Sequence, residues 1–348
     1  MLVREATAAD NEALIALQAR CPQGTTLVAS TTNTPDFFAR ARAYPAHHVF
    51  VAEADGRIVG SGACGLREVL LGGEARTVGY EFQYFTAPEA RGRGVARALR
   101  GRIEQALVAA GAALSYALIV EGNTPSRHLF ERQGFRPHRT LQAALFLPYR
   151  PVDVVGVVRP LTPDDYPAAT DLLQAAWGGQ DFHEPLSAAR LRQLVERLPA
   201  FAVGDFWGLE DGGELVACLG IWDWSRITRV VVLRLTPQLR LIGVALDALR
   251  LLRPVPRMLK AGQEVRQWGL ILPGFRDPAC LAPLLRHASN EALRRGADTL
   301  VALCARDDPL LRASKGLFHA TTSVLLYVKP LQALALGDHP VHLDTIDL

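Results

Sequence analysis

The sequence has few cysteines, and none stands in a pattern typical of metal sites or redox enzymes. The five of them (Cys21, Cys64, Cys218, Cys280 and Cys304) are odd in number and widely spaced, without a C-x-x-C pair. This spacing excludes a zinc ribbon and a thioredoxin-like motif, and we predict no metal site. Because scattered, unpaired cysteines are usual in a reducing compartment, we expect a cytoplasmic protein.

A secretory signal and long apolar runs are also missing. The first residues, MLVREATAADNEAL, carry acidic side chains early and have no apolar h-region. No apolar run approaches the roughly 20 residues that a membrane-spanning helix needs. The sequence therefore predicts no membrane partner.

The chain has only a small net charge. There are 38 basic and 35 acidic residues, a net charge of +3, and the only lysines are Lys260, Lys315 and Lys329. No dense basic run with interleaved aromatic residues occurs, so we expect no nucleic-acid partner. The arginine-rich helix predicted at 91–102 leaves nucleic-acid binding as a weaker alternative, which steep salt dependence of DNA affinity would support.

The chain repeats itself. The pattern V-R-x-x-T-x-x-D occurs at 3–10 and again at 158–165, each time as a short strand followed by a Thr cap and a helix. Two hairpins with Asp/Gly turns follow, at 49–64 and 206–220, and they bring Glu53 and Glu210 into equivalent positions. A repeat of this length predicts two copies of one fold.

The predicted boundary lies in the proline-flanked connection LPYRPVDVVG at 147–156. We predict an N-terminal domain at 1–150, a C-terminal copy at 156–330 and a tail at 331–348, which either docks on a domain or pairs as a terminal strand. The order of elements in each copy predicts an α/β fold, with a mixed, mostly antiparallel sheet and helices on both faces.

An Arg-Gly turn stands at the start of a predicted helix, in the stretch PEARGRGVARAL at 88–99. It does not fit a P-loop, which needs a lysine, or a Rossmann fingerprint, because Arg97 stands in the third glycine slot. It fits R-x-x-G-x-A, in which small residues let a pyrophosphate approach the backbone N–H groups of a helix N-terminus. A plain basic helix start is the alternative, although positive charge there opposes the helix dipole.

The surrounding sequence is similar to a known family. GYEFQYFTAPEARGRGVARAL (79–99) resembles motif A of the GNAT acetyltransferase superfamily, and YALIVEGNTPSRHLFERQGF (116–135) resembles its next strand and helix. The likeness spans nearly all of residues 1–147, and the whole chain resembles the tandem form of the family. It implies two GNAT-like acyl-CoA N-acyltransferase domains with acetyl-CoA as the co-substrate.

The resemblance also assigns cofactor contacts. The pantetheine arm would pair with the backbone of Phe85, Thr86 and Ala87. The pyrophosphate would lie on Arg91, Gly92, Arg93, Gly94, Val95, Ala96 and Arg97. Asn123 and Ser126 lie where the family often contacts the pantetheine end. An Asx turn that caps the next helix is an equally good and compatible interpretation of Asn123.

The catalytic groups are less well indicated. Acetyl transfer needs a group that takes the amine proton, a donor for the oxyanion and a proton for the thiolate. Glu81 is the only carboxylate in the predicted strand 78–86, although an ordinary strand role is as good an interpretation. Tyr80 stands where some family members carry the base. Phe130 occupies the slot in which many family members carry the tyrosine that protonates the thiolate, so Tyr84, Tyr116 or water would replace it, or the thiolate would leave unaided.

The second copy lacks the Arg-Gly turn, because Asp277 and Pro278 stand at its place. An acidic residue there would repel pyrophosphate, so we expect a degenerate copy. These observations predict an acetyl-CoA-dependent N-acetyltransferase whose N-terminal domain transfers acetyl directly to a primary amine of a small molecule or protein, held beside residues 21–48. The alternative is a non-catalytic acyl-CoA-binding or scaffold protein. By analogy with the family, the chain is a monomer with pseudo-dimeric domains or a homodimer.

Overall fold

The computed structural model describes residues 1–24 and 26–348. Its strands are β1 (Leu2–Glu5), β2 (Leu27–Asn33), β3 (Ala46–Ala54), β4 (Arg57–Leu71), β5 (Glu74–Thr86), β6 (Leu114–Val120), β7 (Arg136–Phe146), β8 (Val157–Pro160), β9 (Phe206–Asp211), β10 (Glu214–Asp223), β11 (Thr228–Leu235), β12 (Glu264–Val265), β13 (Gln267–Phe275), β14 (Thr299–Cys304) and β15 (His319–Pro330). Its helices are α1 (Asn11–Ala19), α2 (Val95–Ala109), α3 (Thr124–Glu131), α4 (Tyr166–Trp177), α5 (Ala188–Arg197), α6 (Pro237–Leu249), α7 (Leu281–Arg295) and α8 (Pro309–Ala313).

Most strands join one large sheet that runs through both halves of the chain. Its order is β1-β3-β4-β5-β6-β15-β7-β14-β13-β10-β9-β8. The pairs are antiparallel except β5–β6 and β13–β14, which are parallel. The predicted fold class, a mixed and mostly antiparallel sheet flanked by helices, is confirmed.

The two halves exchange their last strands. β15, from the end of the second half, pairs with β6 of the first, and β7, from the end of the first half, pairs with β14 of the second. The two exchanged strands also pair with each other in the middle of the sheet. The first residues of β7, from Arg136 to Leu141, pair only with the distant β15, whereas its later residues pair with both β15 and β14.

The sequence repeat corresponds to a repeated cluster of ion pairs. Arg4 contacts Asp10 at 2.8 Å and Glu53 at 3.2 Å. In the second half, Arg159 contacts Asp165 at 2.8 Å and its neighbour Glu210 at 2.7 Å. The acidic residue of each V-R-x-x-T-x-x-D pattern also caps the following helical turn. In each half, the arginine of the repeated motif therefore connects the first strand to the following helical turn and to the hairpin.

Helices cover both faces of the first half's sheet. Gly79 in β5 faces Leu107 of α2, so closely that a Cβ atom would lie 2.4 Å from the leucine side chain. Its neighbour Tyr80 points to the opposite face, where its ring lies 5.9 Å from that of Tyr44. Since successive strand residues alternate between faces, β5 presents one set of side chains to α2 and another to the segment before β3.

A second, three-stranded sheet joins the halves at a different place. Its order is β12-β11-β2, and β2 comes from the first half. Val230 pairs with Thr31, and the ladder extends over most of both strands. Thr25, within the predicted acceptor stretch 21–48, lies outside the described residues.

Candidate active site

The strands β5 and β6 diverge halfway along their length. Their parallel ladder contains three pairs, Val78–Leu114, Gly79–Ser115 and Tyr80–Tyr116. Both strands continue past the last pair, β5 to Thr86 and β6 to Val120. A V-shaped gap therefore opens after Tyr80 and Tyr116, and it exposes backbone groups of β5 that a regular sheet would pair.

A bulge in β5 lies at this gap. Gln83 has a φ of 54°, a left-handed conformation that is uncommon for residues other than glycine. The pairing of β4 with β5 shifts register there, between Ser61 and Ala63. The bulge changes the alternation of side chains, so that Tyr84 lies on the same face as Glu81.

The Arg-Gly turn follows β5 directly and begins α2. Gly92 and Gly94 have φ angles of 74° and 79°, so a side chain at either position would be strained. Gly94 is the N-cap of α2 and provides no side-chain cap. The N–H groups of a helix's first turn have no partner within the helix, so here they are open to an external acceptor.

Three arginines surround this turn. Arg91, Arg93 and Arg97 are exposed, and across residues 1–24 and 26–348 none of them is found in an ion pair. Positive charge that has no acidic partner, next to the positive end of a helix dipole, favours an anionic ligand. The geometry of the turn suits a pyrophosphate.

Glu81 lies in a buried polar cluster at the closed end of the gap. It accepts hydrogen bonds from Tyr84 Oη at 2.5 Å and from Ser115 Oγ at 2.6 Å, and Arg100 Nε lies 3.7 Å from its carboxylate. Burial raises the pKa of Glu81, while the Arg100 charge acts in the opposite direction. Burial likewise raises the pKa of Tyr84. The pair is thus suited to hold a proton that solvent does not reach directly.

Tyr84 lies beside the slot in which the sequence places a phenylalanine. Its ring contacts that of Phe130 edge-on, with 5.6 Å between ring centroids. Phe130 in turn packs edge-on against Phe135 at 4.9 Å. The ring of a β5 tyrosine therefore lies next to the helix position that has no hydroxyl, and its own hydroxyl donates to Glu81.

The opposite face of the gap carries a second cluster, which the sequence analysis missed. Asp347, fully buried, accepts hydrogen bonds from Tyr44 Oη at 2.9 Å and Tyr116 Oη at 3.0 Å and pairs with Arg67. The Tyr80 ring stacks on that of Tyr116 at 5.0 Å, and burial raises the pKa of Tyr80. The segment LDTIDL has no periodicity that signals this role, so only the three-dimensional contacts reveal it.

The second half has a matching gap, and the C-terminal tail fills it. β13 and β14 pair only at Gln267–Thr299, Trp268–Leu300 and Gly269–Val301 before they diverge. In the opening, Leu272 N–H donates to Asp344 at 2.6 Å, and Leu303 N–H donates to Thr345 Oγ1 at 2.9 Å. The tail thus docks on a domain, which was one of the two outcomes that the sequence left open.

The start of the following helix also differs between the halves. In the second half, a short turn at Pro278–Cys280 runs directly into α7. The Asp277 side chain accepts the N–H of Ala279 at 2.8 Å. Asp277 thus corresponds to Ala87, which precedes the Pro88–Ala90 turn, and the second half has no counterpart of the Arg-Gly turn that separates this turn from α2.

The remaining predicted cofactor residues lie at or after the ends of the two diverging strands, Phe85 to Ala87 at the end of β5 and Asn123 and Ser126 after β6. Phe85 is buried, Thr86 O accepts the Cys21 thiol at 3.3 Å, and Ala87 N–H donates to Val59 O at 2.9 Å. The Asn123 side chain caps α3 by accepting Ser126 N–H at 3.3 Å. The capping interpretation of Asn123 is therefore observed, and contact with a cofactor stays a prediction for all five residues.

The sequence of the first half can now be compared with known families. Residues 11–135 match the model of the acetyltransferase (GNAT) family. They form a GNAT domain. The gap between β5 and β6 and the Arg-Gly turn both lie within the matched residues. A sequence comparison with curated proteins gives no match.

Solved structures of similar fold cover nearly all of the chain. N-myristoyltransferase of Saccharomyces cerevisiae with bound myristoyl-CoA has a TM-score of 0.66 at 11% identity, over 100% of this chain and 90% of that one. A GCN5-related N-acetyltransferase from Sphaerobacter thermophilus has a TM-score of 0.56 at 16% identity, over 97% of both chains.

A third similar structure is a glucosamine N-acetyltransferase region of a fungal multi-domain β-N-acetylglucosaminidase. Its TM-score is 0.63 at 13% identity, over 94% of this chain and 38% of that chain. At identities this low, the three structures show a shared fold. Because that fold extends over both halves, it supports a tandem arrangement of two GNAT-like units.

Proposed function

We propose that the protein is an acetyl-CoA-dependent N-acetyltransferase whose N-terminal GNAT domain carries the reaction. One observation carries the proposal: the gap between β5 and β6 leads directly into the Arg-Gly turn at the start of α2. A single ligand with an extended amide-bearing arm and a pyrophosphate matches this sequence of features. Of the three predicted residues, Phe85 and Thr86 would pair their backbone with the arm, since Ala87 already bonds Val59 O and Ala90 N–H, and Gly92 to Arg97 would hold the phosphates.

The donor group enters the closed end of the gap in this proposal. Rings of Tyr84, Phe130 and Phe135 pack together there, which supports a small acyl group over a long one. The backbone N–H at the Gln83 bulge would donate to the thioester oxygen as it becomes an oxyanion. A primary amine then attacks the thioester carbon directly, forms the C–N bond and breaks the C–S bond.

Two protons must move in this reaction. The attacking amine loses one, and the departing thiolate gains one. We assign the second to Tyr84, which lies beside Phe130 and would be recharged from the Glu81 carboxyl at 2.5 Å. The amine proton would pass to the Glu81 carboxylate, which thereby becomes the carboxyl that returns a proton to Tyr84, so that the proton lost by the amine replaces the one given to the thiolate.

The second half would not bind the co-substrate. Its gap already contains the tail, and backbone donors that an extended arm needs are bonded to Asp344 and Thr345. It has no counterpart of the Arg-Gly turn before α7, and the carboxylate of Asp277 lies just before that helix start. We therefore expect one co-substrate site per chain.

Calorimetric titration of acetyl-CoA and CoA into wild type, Gly94→Glu and Gly213→Glu tests the proposal. Gly94 and Gly213 are exposed and have φ angles of 79° and 84°, so both variants carry the same charge and a similar backbone strain. We expect one site in wild type, retained in Gly213→Glu and lost in Gly94→Glu. An acceptor screen that measures free thiol release would follow.

Other outcomes contradict defined parts of the proposal. Two sites in wild type would contradict a silent second half. Loss of acetyl-CoA binding in both variants would show that backbone strain from replacing a glycine abolishes binding, whether or not the glycine lies in the Arg-Gly turn. Single-site binding without thiol release for any amine would favour a non-catalytic acyl-CoA-binding or scaffold protein.

A further inference from the structure

The helix α6 is held against the protein by one face only. All of its residues are at least partly exposed. On its inner side, Leu239 packs against the small cluster of Val232, Leu235 and Val265, and Gly243 lies next to Met258. The short sheet β12-β11-β2 supports this inner side.

The outer face of α6 is apolar. Leu241 and Val244 are 72% and 68% exposed, and just past the helix Leu251 and Leu252 are 87% and 86% exposed. With Ala245 and Ala248, the exposed positions 241, 244, 245 and 248 recur at the spacing of one helix face. An apolar row of this length on the solvent side is typical of a surface that docks on a partner.

The charges around this row have one sign. Between 234 and 260 there is one acidic residue, Asp247, and the six basic residues are Arg234, Arg240, Arg250, Arg253, Arg257 and Lys260. Asp247 is paired with Lys260 at 3.0 Å and Arg250 at 3.5 Å. The segment is thus more positive than the whole chain, whose net charge is +3. A second copy of the same face would be repelled, whereas an anionic surface would be attracted.

We propose that this face, from Leu241 to Leu252, docks on a bilayer surface with anionic headgroups. An apolar face flanked by basic residues is the arrangement with which interfacial helices lie in the plane of a membrane. Among the described residues, no helix has the length and apolarity to cross a membrane. The sequence-based expectation of no membrane partner considered only segments long enough to span a bilayer. A helix that lies in the plane of the membrane surface does not need that length.

The docking surface is attached to the first half near its predicted acceptor side. The chain enters α6 at Thr236, whose N–H donates to Thr26 O at 3.0 Å. β11, which precedes α6, pairs with β2. Membrane docking would therefore bring the segment 26–33 close to the lipid headgroups, whether or not the protein transfers an acyl group.

Flotation of the full chain with lipid vesicles tests the proposal. Vesicles of phosphatidylcholine are compared with vesicles that also contain phosphatidylglycerol. We expect binding to the anionic vesicles, weakened by high salt, and a loss of about tenfold in affinity for Leu241→Glu/Val244→Glu. The matched control Val108→Glu/Leu293→Glu changes two exposed apolar residues on other helices and should bind like wild type.

A second variant separates charge from apolar contact. Arg240→Gln/Arg253→Gln leaves the apolar row intact and should weaken binding to anionic vesicles only. Unchanged binding of the Leu241/Val244 variant, or no binding of wild type to anionic vesicles, would overturn the proposal. So would a wild-type dimer in sedimentation velocity that this variant dissociates, or binding to polyglutamate without binding to vesicles, since these would identify a second copy or an acidic protein as the occupant.

Discussion

Gln83 and Leu272 occupy the same position in the two halves and share the same unusual backbone conformation. Each lies three residues after the last pair of its parallel ladder, Tyr80–Tyr116 or Gly269–Val301, and their φ angles are 54° and 53°. The Leu272 N–H donates to a carboxylate oxygen of the tail at 2.6 Å. The bulge thus directs a backbone donor into each gap, and in the second half the chain itself supplies the acceptor.

The bulge gives the first prediction. Gln83→Gly keeps the left-handed conformation without steric cost, whereas Gln83→Val places a β-branched residue in it, at a cost of roughly 1–2 kcal/mol. We expect Gln83→Gly to retain most turnover and Gln83→Val to lose it while acetyl-CoA still binds. Steady-state kinetics and calorimetry of both variants check this. Equal loss in the two would assign the effect to the glutamine side chain, which donates to Phe37 O at 3.3 Å.

The buried carboxylate of Glu81 gives the second prediction. Glu81→Gln keeps the shape of the side chain and removes its proton transfer, so we expect kcat to fall roughly 100-fold with unchanged affinity for acetyl-CoA. The matched control is Glu104→Gln on α2, which removes a carboxylate bonded to Arg100 and Lys329 near the same cluster. A similar fall of kcat in both variants would mean that the loss of a negative charge near Arg100, and not proton transfer by Glu81, reduces turnover. Wild-type turnover in Glu81→Gln would exclude the proposed role of Glu81.

Asp347 gives a prediction about stability. Asp347→Ala leaves the buried Arg67 with only Glu184, at 4.0 Å, and removes the acceptor of two tyrosine hydroxyls. Breaking a buried pair of this kind costs about 3–5 kcal/mol in the free energy of unfolding. Asp338→Ala, in the same tail, removes a fully exposed partner of Arg139 and should leave the free energy of unfolding almost unchanged. Urea denaturation of both variants measures the difference, and equal costs would contradict the assigned role.

The parts of the fold that the sequence predicts are those that local patterns encode. Arg4, Thr7 and Asp10 lie within one short motif, so its recurrence at 159–165 revealed the repeat and its strand-to-helix turn. Gly92 and Gly94 revealed the turn before α2 for the same reason. The exchange of β7 and β15 depends on pairing between residues almost 200 positions apart, for which no local pattern exists.

The candidate site divides in the same way. Glu81 and Tyr84 lie on one strand and could be named from the sequence, although the bulge that brings them to one face could not. Asp347 could not be named at all, since its partners Tyr44 and Arg67 come from the distant first half. Its position depends on how the tail enters the second gap.

Asp344, which holds the tail in that gap, gives a prediction about pH. Burial raises the pKa of this carboxyl from 3.8 to about 6. A raised pKa means that folding favours the protonated form, so its contribution to stability is complete below the unfolded pKa and is lost as pH rises through about 6. Asp344→Asn cannot ionise and lacks this dependence.

The measurement is the free energy of unfolding of wild type and Asp344→Asn between pH 4 and pH 7.5. The free energy of unfolding of wild type minus that of Asp344→Asn should decrease as pH rises toward about 6. Above this pH the difference should be constant. Asp10→Asn is the opposite control, because its ion pair with Arg4 holds the pKa of that carboxyl well below its usual range. For Asp10 the difference should be constant from pH 7.5 down to about pH 5 and should then fall to the disadvantage of wild type as pH approaches the unfolded pKa of about 4, the direction opposite to that of Asp344. A flat difference for Asp344 as well would mean that its carboxylate is ionised in the folded protein, held by the N–H groups of Leu272 and Ile346.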